Sequence, residues 1–162
     1  MASTALLAWE GMNMPALHVE GRYLKDAAGN TVLLHGYAQT FSPWFNERGT
    51  QWNNYDVDKC LSYNQGIIDK IMAVGWKMNF VRMHMDPYWS NTPSSRIIPE
   101  SDISAFSFDR FKKYLSQVFI PMDQYAASKG MYVVMRPPGV CPDSICVGDA
   151  YQQYLIKVWD YV

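Results

Sequence analysis

Apolar and polar positions along the chain change their period several times, and each change marks an element. Residues 18–25 and 31–36 are β-rich runs flanking Asp26-Ala27-Ala28-Gly29-Asn30. The Gly-Asn pair supplies positive φ, so the pattern predicts a hairpin with its turn there. An aromatic loop follows from Tyr37 to about Tyr55 and holds Trp44, Phe45 and Trp52. Asp56 or Asp58 then caps a helix running to Val74, with Ile67, Ile68, Ile71, Met72 and Val74 as its apolar face and Gly75 as its stop. A strand is predicted over 79–85, and a polar and aromatic loop over 86–104. The next helix has Ser107 as N-cap and Phe108, Phe111, Leu115, Val118, Phe119, Met122, Tyr125 and Ala126 at helical spacing. Pro121 should kink or split it, and Lys129-Gly130 closes it. A third strand is predicted over 131–135. Asp149 then caps a last helix with Tyr151, Tyr154, Leu155, Val158, Trp159 and Val162 on one stripe.

A hairpin followed by three βα units implies an α/β domain, with a parallel sheet covered by helices and right-handed crossovers. The last helix ends on an apolar residue with no glycine cap and no polar tail, so the chain reads as cut. Residues 1–16 read as an N-terminal extension and 17–162 as the folded portion.

Composition sharpens this picture in a few places. The chain has 162 residues, enough for one domain with a real core. Six Trp and eleven Tyr are many for that length. They favour a folded domain, and they point to sugar binding, because flat aromatic faces stack on pyranose C–H faces; an aromatic core accounts for about half of them. The net charge of −1 comes with no basic patch, which argues against nucleic acid as a partner. No apolar run is long enough to span a membrane. Residues 1–9 lack a basic n-region and do not read as a signal peptide. Cys60, Cys141 and Cys146 make no disulfide framework; Cys141 and Cys146 share a loop and could pair, but free thiols are the expected state. With three His and no Cys-x-x-Cys, no metal site is implied, and no cofactor.

Three stretches in register resemble glycoside hydrolase family 5, the cellulase-type enzymes. Gly21-Arg22-Tyr23-Leu24 through Gly29-Asn30-Thr31-Val32-Leu33-Leu34-His35-Gly36 is similar to that family's opening hairpin and first barrel strand. Gly75-Trp76-Lys77-Met78-Asn79-Phe80-Val81-Arg82 is similar to its second strand, with the Asn-x-x-Arg pattern. Lys129-Gly130-Met131-Tyr132-Val133-Val134-Met135 is similar to its third. The resemblance implies a partial TIM (β/α)8 barrel, made of the N-terminal hairpin and the first three of eight βα units. It further implies a secreted or periplasmic endo-β-1,4-glucanase-like enzyme acting on β-linked polysaccharide with retention. Such chemistry needs two carboxylates about 5 Å apart, one as acid/base and one as nucleophile. In the family these are Glu residues after strands four and seven, beyond the three units found here. The single Asn-Glu pair, Asn46-Glu47, falls in the loop after strand one and does not match the family's acid/base.

Arg82 matches the family's Arg at the end of strand two, which hydrogen-bonds the nucleophile and keeps it ionised. His84 and Asp86, ending strand two beside Tyr88 and Trp89, are candidate sugar contacts or structural residues. His35, ending strand one, carries the same two readings. Trp44 and Trp89 are candidate stacking platforms or covers for the core. Where the family commonly has Asp-x-His at the end of strand three, this chain has Arg136-Pro137-Pro138. Arg136 is therefore a candidate contact in an altered sugar site. Glu47, Asp86 and Asp143 are carboxylates from three different loops on the same side. The expected partners are a β-linked poly- or oligosaccharide and, because three strands cut from a barrel leave free edges, either a second copy or the remaining barrel portion. The competing reading is a non-catalytic glycan-binding or structural α/β module.

Overall fold

The computed structural model describes residues 11, 13–39, 56–84, 103–136 and 142–162. Trp44, Glu47, Asp86, Trp89, Pro138 and Cys141 lie outside them. The described residues form a mixed α/β fold with two small sheets.

Strands β1 (Leu17–Glu20) and β2 (Tyr23–Asp26) pair antiparallel, with Glu20 opposite Tyr23 and Leu17 opposite Asp26. The run 18–25 is therefore not one strand, because Gly21, at φ 60°, folds it back on itself through a two-residue turn. The turn predicted at 26–30 does form. The Asp26 carboxylate accepts from the Ala28 and Asn30 N–H groups and from Asn30 Nδ2. Beyond it Thr31 bridges to Lys25 and the Val32 N–H reaches the Leu24 carbonyl, so a short third segment extends the hairpin.

The second sheet is parallel, in chain order β3 (Gly36–Ala38), β4 (Phe80–His84), β5 (Tyr132–Arg136). Its first strand starts later than the sequence pattern suggests. Asn79 takes the backbone of 33–35 for itself: its Nδ2 donates to the Leu33 carbonyl and its Oδ1 accepts from the His35 N–H. Regular pairing begins only at Gly36, opposite Phe80. A Cβ on Gly36 would run into the Phe80 carbonyl, so only glycine admits this approach.

Helix α1 (Val57–Ala73) joins β3 to β4 and is capped by Asp56, which accepts from the Lys59 N–H at 3.0 Å. Its buried positions are Cys60, Asn64, Ile68 and Met72, one every four residues. Val74, expected on the apolar face, is exposed. Between β4 and β5 lie α2 (Phe108–Tyr114), a π-helical turn (Leu115–Phe119) and α3 (Ile120–Ser128). Pro121 explains the interruption. It has no N–H to donate, and the wider turn just before it absorbs the missing bond. Ser107 caps α2, accepting from the Arg110 N–H. Helix α4 (Ala150–Trp159) is capped by Asp149 and buries Tyr151, Tyr154 and Val158. Trp159 and Val162, expected on the same stripe, are exposed.

These helices cover one face of the parallel sheet. Val81 and Met83 are buried in a core with Ile68, Met72, Phe111, Val118 and Met122, and Tyr37, Val133 and Met135 pack against it. Side chains alternate along a strand, so the residues between them project from the other face. There Arg82 and Val134 are exposed. Cys60 and Cys146 are free thiols, the first buried and the second exposed. Among the described residues no helix is long and apolar enough to cross a membrane.

Candidate functional site

The site is built on the face that no described helix covers, near the C-terminal ends of the parallel strands. In open or closed α/β sheets, ligands bind outside those ends, where loops can vary without disturbing the core. Arg82 is the third residue of β4 and stands opposite Val134 of β5. His84 and Arg136 end the two strands opposite one another. Arg82 is exposed and Arg136 half-buried. The two arginines therefore occupy neighbouring strands on one face, two residues apart in register. Phe80 and Tyr132 occupy the lower part of the same face.

The foot of this face is closed. The Tyr132 hydroxyl donates to the Pro15 carbonyl, tying β5 to the segment before β1. Burial raises the pKa of the Tyr132 phenol, and the nearby Asp26 charge adds to the effect. The segment that leads into the hairpin is thus tied to the N-terminal end of the sheet.

At the C-terminal end of the sheet a polar link joins β3 to α1. Gln39, just past β3, donates from its N–H to the Arg82 carbonyl at 2.9 Å. Its side-chain amide donates to Asn64 Oδ1, and Asn64 Nδ2 reaches Cys60 Sγ. Both amides are buried on the helix-covered side. Among the described residues Gln39 Oε1 and the Tyr37 hydroxyl are buried and find no hydrogen-bond partner, and burial drives the Tyr37 phenol well above its usual range. The link fixes the end of β3 against α1 and so holds the backbone beside Arg82.

No family model, no curated protein and no solved structure matches this chain. The site rests on its own geometry.

The residues singled out from sequence divide into three groups. Arg82, Arg136 and the backbone of His84 come together at the end of β4 and β5. His35 does not join them, and the expectation that it ends the first parallel strand is corrected. It precedes Gly36 and so stands at the N-terminal end of the sheet, where its Nδ1 lies 2.8 Å from the Lys77 carbonyl and its ring meets Trp76 edge-on. Asp143 is exposed in the stretch that leads from β5 to α4. Trp44, Asp86, Trp89 and Glu47 fall outside the described residues. Gln39 and Asn64 escaped the sequence reading. The available signal was the fourfold spacing of Cys60, Asn64, Ile68 and Met72, which puts an amide on a buried stripe.

Proposed function

We propose that this chain is the first part of a β/α barrel of the glycoside hydrolase family 5 type and that its open face is part of a cleft for β-linked polysaccharide. The observation that carries the reading is the parallel sheet itself. Three strands lie in chain order, the described helices cover one face, and the opposite face bears Arg82 and Arg136 near its C-terminal end. A doubly wound sheet would have helices on both faces, whereas a barrel turns its uncovered face inward. The tie between the segment before the hairpin and Tyr132, at the N-terminal end of the sheet, supports the same reading, since it lies away from the cleft. The two carboxylates that retaining hydrolysis needs belong, in this reading, to barrel strands later than β5. The chain then contributes sugar binding and, through Arg82, support for the nucleophile.

Calorimetric titration of the folded chain with soluble β-1,4-linked oligosaccharides tests this. Saturable binding is expected, weakened by Arg82→Ala, with negligible release of reducing sugar. A folded chain that binds none of them overturns the proposal. So does robust hydrolysis that is abolished by replacing Asp143.

A further inference from the structure

We draw no further inference here: the strongest candidate, the polar cluster of Tyr37, Gln39, Asn64 and Cys60 between the end of β3 and α1, carries nothing, because the residues that follow Gln39 lie outside the described ones and nothing in the structure shows what meets the Tyr37 hydroxyl and Gln39 Oε1.

Discussion

Asn79 holds His35 from two sides: its backbone N–H donates to the His35 carbonyl at 2.8 Å, and its side-chain Oδ1 accepts from the His35 N–H at 2.7 Å. The same side chain donates from Nδ2 to the Leu33 carbonyl at 2.9 Å, while the Asn79 carbonyl accepts from the Tyr132 N–H at 2.8 Å. One residue thus sets the relative height of all three parallel strands. Replacement by alanine removes two side-chain bonds and leaves the 33–35 backbone short of partners. Asn79→Ala should cost about 1–3 kcal/mol in urea unfolding. Asn79→Asp keeps the acceptor but loses the donor to Leu33, and should still destabilise. An alanine variant as stable as the parent would mean that strand height is set elsewhere.

A second clasp joins α1 to α3. The Tyr125 hydroxyl sits 2.7 Å from both Asp69 carboxylate oxygens, and Lys129 Nζ is 2.8 Å from Asp69 Oδ1. Lys129, then Tyr125, holds the Asp69 carboxyl below its ordinary value of 3.8, and Asp69 in turn raises Lys129 above 10.5. The depressed carboxyl contributes stability that is complete above its unfolded pKa and is lost as pH falls through the folded one. The raised ammonium contributes stability that is complete below its unfolded pKa and is lost as pH rises through the folded one. Asp69 is half exposed, so water screens the pair and Lys129→Met should cost less than about 1 kcal/mol at neutral pH. The difference between parent and variant should vanish in strong acid. Urea titrations at pH 7 and at pH 2 compare the two directly, and a gap that persists in acid would trace the loss to packing instead.

Arg82 is exposed and has no side-chain partner among the described residues. Arg82→Ala should therefore change unfolding free energy by no more than about 0.5 kcal/mol, while glycan affinity falls. A loss of several kcal/mol in folding would reveal an ion pair that holds the core together.

The outer edge of β5 has no neighbouring strand among the described residues. Beside it runs a groove of about 400 Å³ whose lining includes Leu115, Phe119, Ile120, Val133 and Met135. In the barrel proposed above, the next βα unit would take this edge. For this chain alone a second copy is the expected occupant, related by a two-fold axis so that β5 pairs with β5 antiparallel. Lys112 and Asp123 lie in the same groove, eleven positions apart on the α2–α3 path, with the Asp123 carboxyl pushed up by burial. Light scattering coupled to gel filtration should show mass rising toward a dimer with concentration, with Ile120→Glu and Asp123→Lys both shifting it back. A monomer at every concentration would exclude this mode.

The order of elements was legible in the sequence because local signals act locally. Ser107 and Asp149 cap the helices expected of them, Asp56 is the one of the two candidates Asp56 and Asp58 that caps α1, and helix periodicity located the core residues Phe111, Val118, Met122 and Val158 without reference to any partner. Pro121 announced the break before it, since a missing N–H is a property of the residue itself. What the tertiary structure alone decided depends on long-range partners. Whether residues 31–36 pair as a strand depended on Asn79, 44 positions away from His35, whose side chain competes for that backbone. The same competition moved His35 from the candidate site to the opposite end of the sheet. Periodicity puts Asn64 on the buried stripe of α1, but it could not show the partner that makes a buried amide tolerable there, which is Gln39 just past β3. The pairing of Arg82 with Arg136 on one face likewise follows from strand register, a relation between chain segments more than fifty residues apart.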